Sequence, residues 1–526
     1  MRDKMNIWTI LDKAAKLYAH DIAIIDRGQS YTYAKFRDRS LNLAAFFHDQ
    51  GVRPADRIAA MEVNSVEFME AYYAAAAIGA ILTPINHRLS PKDLSYILTD
   101  SGSKWIIAST TFEKIIRDAL ESSTSNVNGI VWIGEQSAST PKEITNVNYA
   151  QASKWNHANF KLPRVDLDDV AHLYYTSGTT GEPKGVPLTH RNVVTHSECA
   201  VHELELTSDD IWGHIAPMFH LADAWAVFAI TMVGGRHIML DRFEATAAMQ
   251  VIEREKITIS NLVPTMLNLM TSHKDIESFD FGSLKVILSG GAPIAKEVVR
   301  KIMKFFGCNY IQTYGMTETS PYLLLGILPD HLEALPFNER LNFKAKTGRR
   351  FKAVQLKVVD EYGTQVATDG KQAGEIWVRG ETITKGYWNK PEATAEAFCD
   401  GWLKTGDLAV IDNELFVNIV DRKKDMILTG GENVYSTEVE STLYENEAVL
   451  EAAVFGLPDK TWGETVTAAV VLKNNQQISK DALINFCKKR LTSYKAPKQI
   501  FFIKELPKTG SGKISKKILK DLLAQK

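Results

Sequence analysis

Several stretches of this chain set charged and hydroxylated side chains among glycines, a combination suited to phosphate chemistry. The segment TSGTTGEPKG (Thr176 to Gly185) follows an apolar, strand-like run ending at Tyr174-Tyr175. In such a loop the backbone N–H groups can surround phosphate oxygens, with Ser177, Thr179 and Thr180 donating further hydrogen bonds and Lys184 adding positive charge. The spacing is not GxxxxGK(S/T), either here or at Thr509 to Lys513, where glycines again flank a lysine. A nucleotide-binding family other than the Walker type is therefore required.

The loop resembles the phosphate-binding signature (S/T)SG(S/T)TGxPKG of the adenylate-forming superfamily, which includes acyl-CoA synthetases, luciferases and peptide-synthetase adenylation domains. Four other segments carry the same resemblance in the same order along the chain. YGMTE (Tyr314 to Glu318) is similar to the family's YGxTE, and GWLKTGD (Gly401 to Asp407) to WxxTGD. DRKKD (Asp421 to Asp425) corresponds to the hinge segment. PKTGSGKISK (Pro507 to Lys516) is similar to PKTxxGKIxR, with Lys516 where arginine is more usual.

The resemblance implies roles residue by residue. Thr176, Ser177, Gly178, Thr179, Thr180, Gly181 and Lys184 would hold the phosphates of ATP. Gly291, Ala292, Pro293, Gln312, Thr313, Tyr314, Gly315, Met316, Thr317 and Ile419 would surround the nucleotide, the Tyr314 ring on adenine and Thr317 at the α-phosphate. Asp407 and Arg422 would take the ribose hydroxyls, and Thr180 and Glu318 the Mg²⁺. The chemistry agrees, because a carboxylate suits a hard cation, an aromatic face suits a purine, and a carboxylate can accept two hydroxyl hydrogen bonds. Lys513 would be the adenylation lysine, placed to offset charge on the α-phosphate as the substrate carboxylate attacks.

Two further segments point to a second half-reaction. PMFH (Pro217 to His220) looks like the family's PxFH turn, whose histidine borders the acyl pocket. TGGEN (Thr429 to Asn433) looks like the loop that lines the pantetheine tunnel in CoA ligases, implying Gly430, Gly431, Glu432 and Asn433 for coenzyme A and a hinge at Lys424. The expected catalytic set is thus Lys513, Thr317, Glu318 and His220. The acyl pocket is expected from His220, Trp225, Gly290, Gly291, Thr313, Pro321 and Tyr322. The bulk of Trp225 and Tyr322 favours a medium-length, branched or ring-bearing acid over a long fatty chain.

The implied function is activation of a carboxylic acid by ATP with release of pyrophosphate, then transfer of the acyl group to coenzyme A. The alternatives are a long-chain fatty acid as substrate, or an acceptor other than coenzyme A, as in luciferase-like or carrier-loading enzymes. A peptide-synthetase module is disfavoured, because HLAD (His220 to Asp223) lacks the Phe-Asp pair that binds an α-ammonium. A scaffold without activity would be expected to lose Lys513, Glu318 or Asp407, and all three are present.

The elements that must position these residues follow from the pattern. At 526 residues the chain exceeds one ordinary core, so two or more domains are expected. Short apolar runs at Ile22 to Ile25, Arg57 to Met61, Trp105 to Ala108 and Gly129 to Ile133 alternate with helical patterns such as Phe36 to Gln50. The rhythm resumes at His172 to Tyr175, Lys285 to Leu288 and Asn309 to Thr313, predicting β-α units around a largely parallel sheet. Residues 351–420 turn β-rich, and about a hundred residues after DRKKD are enough for a small α+β domain. The expectation is an α/β fold, with a large N-terminal domain over 1–423 that includes this β subdomain and a small mobile C-terminal domain over 424–526.

A net charge of -2 names neither nucleic acid nor an anionic membrane as partner. Cys199, Cys308, Cys399 and Cys487 are scattered without a CxxC pair, which argues against a disulfide framework or zinc site and fits a reducing, cytoplasmic setting. The most apolar window, Ala71 to Leu82, is too short to span a bilayer and reads as a buried core helix. The expected partners are small molecules (a carboxylic acid, ATP with Mg²⁺, and coenzyme A), with no stable membrane insertion and a homodimer left open.

Overall fold

The computed structural model describes residues 5–135, 144–176, 182–292, 294, 296–473, 476–508 and 514–523. Four sheets organise them. The seven-stranded sheet runs, from edge to edge, Thr145–Asn148, Gly129–Ile133, Ser103–Ser109, Arg57–Met61, Ile81–Pro84, Val170–Thr176 and Lys184–Thr189. All its neighbours are parallel except the last pair, which is antiparallel.

The nine-stranded sheet is also parallel through its centre. Its strands Asn309–Gly315, Val286–Ser289, Ile259–Asn261, Ile211–His214, Arg236–Met239 and Ile22–Asp26 lie side by side, with antiparallel strands at both edges. Ligands of such sheets bind beyond the carboxyl ends of the strands, and Gly290, Tyr314 and Gly315 stand at those ends.

Residues 354–422 form a five-stranded antiparallel sheet in which Trp402–Ile411 pairs with Val417–Arg422, setting Asp407 opposite Arg422. The last sheet comprises Ile427–Thr429, Glu432–Val434, Val449–Asp459, Gly463–Leu472 and Gln499–Phe502, and its core packs Val454 and Val470 against Val439 and Leu483 of the helices Ser436–Tyr444 and Lys480–Lys488.

One expectation needs correction. The apolar window Ala71 to Leu82 is not one helix: the helix Val66–Ala77 stops at Ile78, and Ile81–Pro84 is a buried strand. Gly79 adopts φ +68, a left-handed conformation that ends a helix cheaply only at glycine, so the chain turns there and enters the sheet. The helix is buried on nearly every face, which removes the polar stripe that would have marked its end in the sequence. It begins where the Ser65 hydroxyl accepts the Phe68 N–H at 3.2 Å.

Candidate active site

Tyr314 ends a central strand, and the close approach beyond it explains the glycine that follows. A Cβ on Gly315 would lie 1.8 Å from the Pro321 carbonyl oxygen, so only glycine fits beside the returning chain. Gly290 is constrained in the same way, since a Cβ there would meet Thr313 Oγ1 at 2.3 Å. Thr313 in turn donates to the Ser289 carbonyl at 3.2 Å, locking the two adjacent strand ends.

The Tyr314 hydroxyl donates to Asp407 Oδ2 at 2.6 Å, and Arg422 Nε stands 3.4 Å from Asp407 Oδ1. Burial, and secondarily the Asp407 charge, push the phenol well above its ordinary range, so Tyr314 remains a neutral donor. Asp407 is buried while Arg422 is exposed. The carboxylate thus joins an aromatic ring from one sheet to a cation on the strand opposite. Thr405 Oγ1 accepts the Asp407 N–H at 3.2 Å, fixing the turn from which the carboxylate projects.

A second network surrounds Glu318. Its Oε1 accepts from the Tyr387 hydroxyl at 2.8 Å, and its carbonyl accepts from the Thr384 N–H at 2.8 Å. Lys184 Nζ lies 4.9 Å from the centre of the Tyr387 ring, a cation–π contact that places the lysine beside the same carboxylate. The Lys184–Thr189 strand leads directly into the helix His190–Glu203, held by a capping box between Thr189 and Asn192. Tyr387 was not anticipated from the sequence. Its only local mark is the aromatic pair Tyr387-Trp388 after Gly386, and nothing local reveals that its hydroxyl meets a carboxylate 69 residues away.

Glu318 is buried, and its carboxylate accepts from the Tyr387 hydroxyl. Among the described residues there is no cluster of three or more His, Cys, Asp or Glu that could hold a metal alone. Mg²⁺ arriving with a nucleotide needs only one or two carboxylates in addition to phosphate oxygens, and Glu318 fits that donor set.

The expected acyl-pocket residues gather in part. The Trp225 and Tyr322 rings are 5.2 Å apart, with His196 5.1 Å from Tyr322 and 5.7 Å from Trp225. Pro321 adjoins them, and its carbonyl accepts the Met316 N–H at 3.2 Å. His220 closes the turn from Pro217 by donating its N–H to the Pro217 carbonyl at 3.1 Å, and its ring packs 4.4 Å from Phe219. Gln312 is buried and accepts from Tyr310, Met316, Thr317 and Ile419 are half-buried, and Gly291 and Ala292 are exposed.

Lys424 is exposed but lies close to both networks: partial desolvation and then Arg422 push its ammonium below the ordinary lysine range, with Lys184 acting the same way and Asp407 against. Glu432 and Asn433 face solvent on the strand Glu432–Val434, just after a turn whose Gly430 N–H donates to the Trp462 carbonyl at 2.8 Å. Gly430 and Gly431 both have positive φ, at 59 and 84. Thr176 donates to the Lys184 carbonyl at 3.4 Å across the hairpin. Ser177, Gly178, Thr179, Thr180, Gly181, Pro293 and Lys513 lie outside the described residues.

Comparison with known proteins places the chain in a family. Residues 11–388 match the family model for AMP-binding enzyme, and residues 438–513 match the AMP-binding enzyme C-terminal domain. The chain is 34% identical over 505 residues to a feruloyl-CoA synthase from an Amycolatopsis species, covering 96% of each chain. It is 33% identical to a long-chain-fatty-acid–CoA ligase of Mycobacterium tuberculosis, with 93% of this chain and 92% of the other covered. Among solved structures, o-succinylbenzoate coenzyme A synthetase from Bacillus subtilis, in complex with ATP and magnesium ion, superimposes with a TM-score of 0.83 at 29% identity. That match covers 98% of this chain and 100% of the other.

Proposed function

From the premise that this chain belongs to the AMP-binding enzyme family and is an AMP-forming acid–CoA ligase, we propose that it activates a medium-length, branched or ring-bearing carboxylic acid. The two-step course is that of acyl-CoA synthetases. The carboxylate oxygen attacks the α-phosphorus of ATP and pyrophosphate leaves. The thiol of coenzyme A then attacks the acyl carbon, loses its proton, and AMP departs.

The pairing of Tyr314, Asp407 and Arg422 is the observation that carries the nucleotide assignment. An aromatic face for a base lies beside a carboxylate able to accept two ribose hydroxyls. Lys184 and Thr317 would position and neutralise the phosphates. Glu318, oriented by Tyr387, would hold Mg²⁺, which supplies charge neutralisation on the phosphate oxygens when bound. Lys513 would approach the attacking carboxylate and the α-phosphate. The barrier falls mainly through positioning and electrostatics, so no protein nucleophile is required.

The thiol needs space that Lys513 occupies in the first step. Rotation about Lys424, with 1–423 and 424–526 as the moving bodies, would withdraw the lysine and bring Gly430 to Asn433 toward the acyl carbon. Support for a short pocket comes from the two large rings of Trp225 and Tyr322, packed together beside Pro321. The named relatives handle acids as different as feruloyl and long-chain fatty acyl groups, so the pocket and not the family supports the choice. The test is pyrophosphate release across a panel of acids with and without coenzyme A. A medium-length or ring-bearing acid giving a thioester supports the reading, whereas strong turnover of palmitate with little on hexanoate or benzoate contradicts it.

A further inference from the structure

Two buried polar atoms beside Trp225 make no hydrogen bond of ordinary geometry among the described residues, Tyr322 Oη and Asn261 Oδ1, although the Trp225 indole is close enough to Tyr322 Oη to influence it. Their residues are 3% and 2% exposed, so water does not reach them freely. Both belong to one cluster. Asn261 Nδ2 donates to the Ala222 carbonyl at 3.0 Å, and Trp225 Nε1 donates to the same carbonyl at 3.1 Å. The Tyr322 ring lies 5.2 Å from the Trp225 ring. Ala222 itself is exposed, although its neighbours Leu221 and Asp223 are buried, so the cluster reaches solvent at the start of the helix Leu221–Val233.

The topology places this cluster beside the proposed reaction site. Asn261 ends a strand paired in register with Leu288, which precedes Ser289 and Gly290, and Tyr322 is paired with Gly315 beside Tyr314. These positions share the carboxyl-end crevice of the parallel strands. The bond to Ala222 fixes the orientation of the Asn261 amide and leaves its oxygen as an acceptor, while Tyr322 offers an O–H donor. Burial holds the Tyr322 phenol well above its ordinary range, so it keeps that proton.

We propose that Tyr322 and Asn261 select a carboxylic acid carrying a neutral hydroxyl group away from its carboxylate, with Tyr322 donating to the hydroxyl oxygen and Asn261 accepting its proton. An ammonium group is not served, because the nearby Asp223 carboxylate is taken up by His214 Nδ1 at 2.6 Å and Trp212 Nε1 at 3.3 Å. A plain alkyl or aryl end would leave both polar atoms desolvated and unpaired, which is how a buried polar site rejects the analogue lacking its partner. The inference rests on the ligase reading and narrows its substrate class.

The test compares kcat/KM for matched acids, omega-hydroxyhexanoate against hexanoate and para-hydroxyphenylpropanoate against phenylpropanoate, in the wild type and in Tyr322→Phe. The wild type should prefer the hydroxylated member of at least one pair by about tenfold or more, and Tyr322→Phe should bring that ratio close to one. Loss of an unpaired buried hydroxyl should leave the melting temperature equal or higher, which separates a selectivity effect from misfolding. A wild-type ratio of one or less in both pairs, or a ratio that Tyr322→Phe does not move, overturns the proposal while leaving ligase activity demonstrated. Absence of pyrophosphate release with every acid overturns the ligase reading and this inference with it.

Discussion

The Tyr314 hydroxyl donates to Asp407 Oδ2 at 2.6 Å, joining the end of a parallel strand in the nine-stranded sheet to an antiparallel strand of the β subdomain. The proposed nucleotide site therefore spans two sheets, joined through the Asp407 carboxylate. Asp407→Asn should weaken AMP binding about tenfold to a hundredfold, the range expected when hydrogen bonds to a charged group are lost. Titration calorimetry with AMP measures it directly. Unchanged AMP affinity would remove Asp407 from the ribose site.

Glu318 and Tyr387 make the parallel case for the metal. Glu318→Gln keeps an oxygen that can accept from Tyr387 but removes the charge, so the Mg²⁺ concentration for half-maximal pyrophosphate release should rise about tenfold. Chelation of Mg²⁺ by EDTA should abolish release in the wild type. A Mg²⁺ titration curve identical in the variant would show that Glu318 only props up Tyr387.

The reach of the sequence differed from element to element. The strands Arg57–Met61 and Gly129–Ile133 were readable to the residue, because short apolar runs bounded by polar residues have few other uses. The helix at Val66–Ala77 and the strand at Ile81–Pro84 merged into one apolar run, since burial on all sides erases periodicity and only Gly79 marks the break. Tyr314, Glu318 and Asp407 were singled out because the short segments that carry them resemble a family's motifs. Tyr387 and Asn261 did not, since their importance comes from contacts made after folding, across 69 residues to Glu318 and 39 to Ala222.

Asp421 ties the strand before the proposed hinge to the helix after it. Its Oδ1 accepts from the Ser436 hydroxyl at 3.0 Å and its Oδ2 from the Ser436 N–H at 2.5 Å, placing negative charge at the start of the helix Ser436–Tyr444. These bonds span Lys424, so a rotation there must break them, and a change at Lys424 should act on domain movement more than on nucleotide binding. Lys424→Pro should retain acid-dependent pyrophosphate release within about twofold and slow thioester formation about tenfold or more, as expected for a hinge that gates the second step. Single-turnover assays of the two steps decide it, and equal losses would count against a hinge at this residue.

Glu62 supplies a pH dependence of stability. It is 2% exposed, its Oε1 accepts the Val63 N–H at 2.9 Å, and its Oε2 has no partner among the described residues. Burial raises its carboxyl to about 8, with Glu67 and Asp26 pushing the same way and Arg27 opposing. A carboxyl raised on folding favours the native state most at low pH, and that contribution fades as pH rises from the unfolded value near 4.5 toward 8. Glu62→Gln should flatten this part of the curve and gain roughly 2 kcal/mol on the wild type between pH 5 and pH 8 by denaturant titration. A difference between the two proteins that does not change with pH would show that Glu62 is not buried as a neutral acid.

The most direct test of one site performing two reactions is Lys513→Ala, assayed for pyrophosphate release from ATP and, separately, for thioester formation from supplied acyl-adenylate and coenzyme A. The account predicts that the first falls by about a hundredfold or more, as expected for removal of a positioned transition-state charge, while the second stays near the wild-type rate. Equal loss of both steps, or loss of the second alone, would contradict it.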